Sequence, residues 1–128
     1  MGKEIFIDTD ILIDAARSIK KAVTYLENKE KRFILMISVI TEMELIVGCR
    51  NKKELRSLHK FLNRFQIIQI HKKTSQLAVE LLEKYRLSHG LLIPDALIAS
   101  SVISSNASIA TKNQKDFRFI IGLNMTAY

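Results

Sequence analysis

The fold is decided by the stretch Glu4-Ile5-Phe6-Ile7-Asp8-Thr9-Asp10-Ile11-Leu12-Ile13-Asp14. Residues 5–7 form an apolar run without alternation, as expected of a strand that is buried on both faces. The run ends at Asp8. Because open α/β sheets bind ligands at the carboxyl ends of their parallel strands, Asp8 is placed to anchor an acidic site. A helix cap is the alternative role for Asp8 or Thr9, since either side chain can accept a hydrogen bond from the first helical turn.

The composition bounds the class of protein. The chain has 128 residues, of which 48% are hydrophobic and 26% are charged, as is typical of one globular domain. We therefore expect residues 1–128 to form a single domain. The one cysteine, Cys49, excludes an internal disulfide and fits a reducing compartment.

The charge balance favours an anionic partner. The chain has 20 Lys and Arg against 13 Asp and Glu, a net charge of +7, and nucleic acid is the commonest partner of such a protein. A basic surface also serves solubility alone, so the charge becomes informative only beside an acidic site. A basic exterior around a cluster of carboxylates is typical of a metal-dependent enzyme that acts on phosphates.

No stretch of the sequence resembles a targeting or membrane segment. Residues 1–4 are too few and too acidic to begin a signal peptide. The longest apolar run, near residues 33–40, is far shorter than the ~20 residues that a membrane-spanning helix needs. The sequence therefore predicts a cytoplasmic protein.

Strands and helices alternate along the chain. Ile19, Val23 and Leu26 share one face of a predicted helix, and a buried strand follows it. A strand, a helical crossover and another buried strand make a βαβ unit with parallel pairing. We therefore predict an α/β fold, a three-layer α/β/α domain with a parallel central sheet. The predicted strands are residues 5–7, 33–37, 67–70 and 108–111, with a further edge strand at the end of the sequence.

Four acidic residues fall where this frame brings chain segments to one edge of the sheet. Asp8 follows the first strand, and Glu44 lies on the helix after the second. Asp95 opens a helix after Pro94, and Asp116 follows the strand that ends at Thr111. We expect these carboxylates to converge, which would raise their pKa values and destabilise the fold unless a cation were bound.

A divalent cation would remove this repulsion. All-oxygen ligands suit Mg²⁺ or Mn²⁺ better than Zn²⁺. The three histidines, His59, His71 and His89, show no metal-ligand spacing, so we expect them on the surface or in loops.

The chain resembles the PIN-domain ribonucleases, and within them the VapC-type toxins of bacterial and archaeal toxin–antitoxin pairs. The matching segments follow the family's order over nearly the whole chain, although each one alone is a weak signal. One departure is Asp10, where these toxins usually carry Asn. The segments are residues 6–12, residues 38–41 with Glu44, Leu45 and Gly48, residues 94–99, and residues 110–113 with Asp116 and Phe117.

The resemblance implies metal-dependent endonucleolytic cleavage of RNA with Mg²⁺ or Mn²⁺ as the cofactor. It also implies a homodimer that is neutralised by an antitoxin tail lying in the cleft. Basic residues at the cleft mouth, such as Lys112 and Lys115, would hold flanking phosphates, or they are simply solvated lysines of a turn. The residues that it assigns as catalytic metal ligands, directly or through water, are Asp8, Glu44, Asp95 and Asp116, with Thr9, Thr111 and Asn113 as supporting polar groups.

The helix after the second strand carries two glutamates, and only one of them can face the site. Glu42 and Glu44 point about 200° apart, since each helical residue turns the chain by about 100°. Hydrophobicity does not choose between them. The acidic residue of the family stands in a Glu-Leu-x-x-Gly pattern. Glu44, Leu45 and Gly48 match this pattern, so the resemblance selects Glu44.

Two other functions compete with this one. The first is a phosphohydrolase that uses Asp8 and Asp10 as haloacid-dehalogenase-like enzymes use an Asp-x-Asp pair, but that class expects Thr or Val where Leu12 stands. The second is a catalytically inactive PIN-like module that binds RNA or protein. The presence of all four acidic residues argues against the loss of catalytic activity.

Overall fold

Within residues 3–128, five short strands follow the alternation of strands and helices that the sequence predicts. The computed structural model describes residues 3–128. Residues 1 and 2 lie outside the described residues. They belong to the segment that was predicted not to be a signal peptide. The strands are β1 (Glu4–Ile7), β2 (Ile34–Ser38), β3 (Gln66–Ile68), β4 (Ser108–Ala110) and β5 (Asn124–Thr126).

Six helices connect these strands and cover the sheet. They are α1 (Thr9–Ala16), α2 (Lys20–Lys29), α3 (Val39–Val47), α4 (Lys52–Leu62), α5 (Lys72–His89) and α6 (Ile93–Ser104), and a short 3₁₀ helix spans Gln114–Asp116.

The strands form one parallel sheet in the order β3-β2-β1-β4-β5. β1 lies at its centre, with Phe6 opposite Met36 of β2 and Ile109 of β4. Because side chains alternate along a strand, Ile5 and Ile7 enter one hydrophobic core and Phe6 enters the other. The apolar run without alternation is thus explained, and the predicted three-layer α/β/α fold is confirmed.

Each face of the sheet is covered by its own helices. One core includes buried side chains of α1, α2 and α4, among them Ile11, Leu26 and Leu58. The other includes side chains of α5 and α6, among them Leu81 and Ala99. These two layers fix the carboxyl edge of the sheet, from which α1 and α3 leave β1 and β2.

Two local predictions from the sequence are wrong. Ile19 was predicted on the buried face of its helix, but α2 begins one residue later and Ile19 is 47% exposed, while Ala22 is fully buried. Strand β3 covers Gln66–Ile68 rather than residues 67–70. Helix α5 ends at Gly90, which adopts the left-handed conformation (φ 71°) that favours glycine.

The helices of residues 3–128 are too short or too polar to span a lipid bilayer. The three histidines are exposed, as expected.

Candidate active site

Asp8 lies where β1 ends and α1 begins. It caps α1, because its Oδ1 accepts a hydrogen bond of 2.9 Å from the backbone N–H of Thr9. Its Oδ2 accepts a bond of 2.7 Å from the hydroxyl of Thr111, just beyond β4. The cap and the site therefore use the same carboxylate, and the two predicted roles of Asp8 do not exclude each other.

The electrostatic environment of Asp8 disfavours its charge. Only 8% of the residue is exposed. Burial, followed by repulsion from Asp10, raises the pKa of Asp8 from 3.8 to about 7, against the opposing effect of the hydrogen bonds from Thr111 and Thr9. A carboxylate in this position gains from a nearby positive charge.

Glu44 reaches the same edge from α3. Its Oε1 accepts a hydrogen bond of 2.7 Å from the hydroxyl of Thr9. The same hydroxyl lies 3.0 Å from the hydroxyl of Thr41, which is fully buried one turn earlier on α3. The first residue of α1 therefore orients Glu44, and the face of α3 that carries Glu44 is the one that points at the site.

Asp95 approaches from the first turn of α6, two residues after the helix begins. Burial raises its pKa from 3.8 to about 6, and repulsion from Asp116, Glu44 and Asp10 adds to this shift. Acidic side chains from α1, α3 and the 3₁₀ helix thus act on one carboxyl group of α6. The convergence of all four acids on one metal site, predicted from strand ends and helix starts, stays a prediction.

Asp116 ends the 3₁₀ helix and, like Glu44, is exposed to solvent. Its charge acts on Asp95. Within residues 3–128, however, no three His, Cys, Asp or Glu side chains are grouped closely enough to hold a metal ion. The acids share an electrostatic environment without forming a closed coordination shell.

The supporting polar residues act mainly on other protein groups. Thr9 orients Glu44, and Thr111 donates to Asp8. Asn113 contributes its backbone N–H, which donates to the hydroxyl of Thr111 at 3.1 Å, while its side chain is exposed. The supporting role that the resemblance assigns to the side chain of Asn113 stays a prediction.

Asp10 ties α1 to the loop after β4. Its Oδ1 accepts from the backbone N–H of Ile11 at 2.7 Å, and its Oδ2 accepts from that of Lys112 at 3.1 Å. Burial raises the pKa of Asp10, and its hydrogen bonds oppose that rise. The departure from the family's usual Asn therefore has a structural use here.

Sequence reasoning missed two residues that support this arrangement. Asp14 accepts a bond of 2.7 Å from the Nζ of Lys112, and Thr41 lies beside Thr9. The position of Asp14 four residues after Asp10 placed both on one helix face, which was the available signal. Thr41 gave none, since a buried threonine on a helix is ordinary.

The donor set fits a hard divalent cation. All the groups that converge are carboxylates or hydroxyls, the oxygen ligands that Mg²⁺ and Mn²⁺ prefer. The raised pKa values of Asp8 and Asp95 reflect burial and uncompensated negative charge, which a cation would relieve.

Comparisons with known proteins point to one family. The sequence pattern of the PIN domain matches residues 5–120. The chain is 31% identical over 110 residues to Ribonuclease VapC10 of Mycobacterium tuberculosis, covering 85% of this chain and 82% of that protein. It is 30% identical over 129 residues to Ribonuclease VapC1 of Methanocaldococcus jannaschii, covering 98% of this chain and 87% of that protein.

A solved structure also resembles the fold closely. It is the crystal structure of VapBC2 from Rickettsia felis bound to a DNA fragment from their promoter. The superposition has a TM-score of 0.85 at 29% identity and covers 98% of each chain.

Proposed function

The chain belongs to the PIN-domain family, and from this premise we propose that it is the ribonuclease toxin of a toxin–antitoxin pair. The observation that carries the proposal is the coupling at Asp95, whose carboxyl group is repelled by Asp116, Glu44 and Asp10. Burial and this repulsion both disfavour the charge of Asp95, and a bound cation would compensate for them. The relatives named Ribonuclease VapC and the VapBC complex support the RNA substrate and the antitoxin partner.

Ribonucleases of this family depend on a divalent metal ion, and we infer that the ion is Mg²⁺ or Mn²⁺, held by Asp8, Glu44, Asp95 and Asp116. When bound, such a cation lowers the pKa of a water molecule and stabilises negative charge on the phosphate. The hydroxyl of Thr111 holds the carboxylate of Asp8 in place. The hydroxyl of Thr9 engages Oε1 of Glu44 and thereby fixes the direction of that carboxylate.

The quaternary structure in this proposal is a homodimer. α3 and α6 pack against each other and carry large apolar side chains that are open to solvent, of which Val47 is 84% exposed and Ile93 is 64% exposed. Burying them against a second copy would remove this apolar surface from water. We also propose that residues 1–128 form one nuclease domain, which acts in the cytoplasm.

Expression in bacteria tests the proposed function. The wild-type chain should arrest growth, and co-expression of the protein encoded beside it should restore growth by forming a stable complex. Asp8→Asn, expressed at an equal level, is the control and should be harmless. Growth with the wild-type chain that matches this control would contradict toxicity.

A further inference from the structure

A cavity of about 290 Å³ opens beside the acidic site. It is at the small end of ligand-sized pockets, large enough for a single nucleotide unit and too small for a folded RNA element. The side chains that line it are mostly charged, polar or aromatic. They include Asp14, Lys21, Thr111, Lys112, Gln114 and Tyr128.

The cavity shares a wall with the acidic site. Thr111, which lines the cavity, donates to Asp8 Oδ2 at 2.7 Å. The next residue, Lys112, donates its backbone N–H to Asp10 Oδ2 at 3.1 Å. Only Thr111 therefore separates a molecule in the cavity from the carboxylate of Asp8.

Two lysines bring positive charge to the cavity. The Nζ of Lys21 lies 4.4 Å from the centroid of the Tyr128 ring, in cation–π geometry. The Nζ of Lys112 lies 2.7 Å from Asp14 Oδ2. An ammonium group has three donors, and 42% of the Lys112 side chain is exposed, so Lys112 keeps donors for an anion.

The aromatic wall is held in place by α2. The ring of Tyr25 meets that of Tyr128 edge to face, with centroids 4.9 Å apart. The hydroxyl of Tyr25 donates to the carbonyl of Ala127 at 2.9 Å. Burial, with a smaller effect of Tyr128, raises the pKa of Tyr25 to about 12. Tyr128 is therefore a fixed surface rather than a loose side chain.

We propose that this cavity binds one nucleotide of the RNA next to the cleaved phosphate, with its phosphate at Lys21 and Lys112 and its base on the Tyr128 ring, whose face Lys21 leaves when it pairs with the phosphate. This inference rests on the proposed ribonuclease function. Base stacking on aromatic rings beside lysines is a general mode of binding single-stranded RNA. The amide of Gln114 adds a donor and an acceptor for the edge of the base.

Binding measured without cleavage tests the subsite. The probe is a short fluorescent single-stranded RNA of mixed sequence, titrated by anisotropy in EDTA so that no metal-dependent cleavage occurs. Lys21→Ala and Tyr128→Leu should each weaken binding roughly 5-fold or more, and Lys21→Ala should also reduce the slope of affinity against salt by about one. A mixture of nucleoside 3′,5′-bisphosphates should displace the probe better than inorganic phosphate at equal concentration, because phosphate has no base to stack.

Lys29→Ala is the matched control. Lys29 is also on α2 and its Nζ lies 5.5 Å from the ring centroid of Tyr25, but it does not line this cavity. This variant should bind RNA as the wild type does. The subsite is refuted if Lys21→Ala loses no more RNA affinity than Lys29→Ala, or if it loses only the affinity for the antitoxin.

The nucleotide subsite and the ribonuclease function can be refuted separately. Wild-type RNA affinity in Lys21→Ala and Tyr128→Leu, together with metal-dependent cleavage that needs Asp95, would refute the subsite and leave the ribonuclease intact. Absence of metal-dependent cleavage by the wild-type protein would refute the ribonuclease itself.

Discussion

The hydroxyl of Thr9, the first residue of α1, donates a 2.7 Å hydrogen bond to Oε1 of Glu44 on α3, 35 positions further along the chain. The bond links the two helices that leave the carboxyl ends of β1 and β2. It shows which glutamate of α3 turns toward the acidic residues.

Replacing either glutamate of α3 tests this orientation. Glu44→Gln should abolish cleavage of RNA, because it removes a carboxylate that faces Thr9 and acts on Asp95. Glu42→Gln is the matched control and should keep most activity, because Glu42 points about 200° away. Initial cleavage rates of the two purified variants are the measurement. The reverse pattern would mean that the working face of α3 is the one that carries Glu42.

Removing the charge of Asp95 should stabilise the metal-free protein. Asp116, Glu44 and Asp10 all repel this carboxyl group, so Asp95→Asn should raise the free energy of unfolding by roughly 1 kcal/mol at pH 8 in EDTA. Asp14→Asn is the control with the opposite sign, because Asp14 is paired with Lys112. Urea unfolding followed by circular dichroism measures both. A less stable Asp95→Asn variant with an intact helix content would contradict the repulsion.

The stability of the metal-free protein should fall as the pH rises from 5 to 8. The pKa of Asp8 is raised in the folded state to about 7 from 3.8, so between these values the folded state binds more protons than the unfolded state. The stabilisation is complete at low pH and is lost as the pH rises through 7, by roughly 2 to 3 kcal/mol over this range for one group.

Asp8→Asn isolates the contribution of this residue to the pH dependence. The amide can still accept from the N–H of Thr9 and can donate to the hydroxyl of Thr111, so the local hydrogen bonds have a replacement. The variant should lose the part of the pH dependence that Asp8 causes. Equal slopes of unfolding free energy against pH in the wild type and the variant would show that the pKa of Asp8 is not raised in the folded state.

A divalent cation should raise the melting temperature. Binding to the folded state alone stabilises it by mass action, and the four proposed ligands are carboxylates that otherwise repel. Mg²⁺ or Mn²⁺ should therefore shift thermal unfolding upward in a concentration-dependent way, and the shift should shrink in Asp95→Asn. A melting temperature that stays constant at millimolar cation would refute metal binding at this site.

The sequence predicted the central strand and its acidic end because both are local patterns. Residues 5–7 are apolar on both faces, and Asp8 stands at the point where the strand must end. The bond between Thr111 and Asp8 spans 103 positions. The sequence did not predict this bond; the expectation that parallel strands end at one edge only placed the two residues near each other.

Other parts of the site depend on tertiary packing and left little trace in the sequence. The pairing of Asp14 with Lys112 requires α1 to pass the loop after β4. Ile19 fitted a helical face by spacing, yet the turn before α2 leaves it in solvent while Ala22 takes the buried position. The spacing of apolar residues predicts a helix, but the residue at which the helix begins decides which side chains reach the core.

RNA cleavage by the purified protein tests the central claim most directly. The wild-type chain should cleave single-stranded RNA in Mn²⁺ or Mg²⁺ and should stop in excess EDTA. Asp95→Asn, shown to be folded by circular dichroism, should reduce the rate by orders of magnitude under the same conditions. Cleavage that continues in excess EDTA, or that proceeds at the wild-type rate in Asp95→Asn, would contradict a metal-dependent ribonuclease built on these carboxylates.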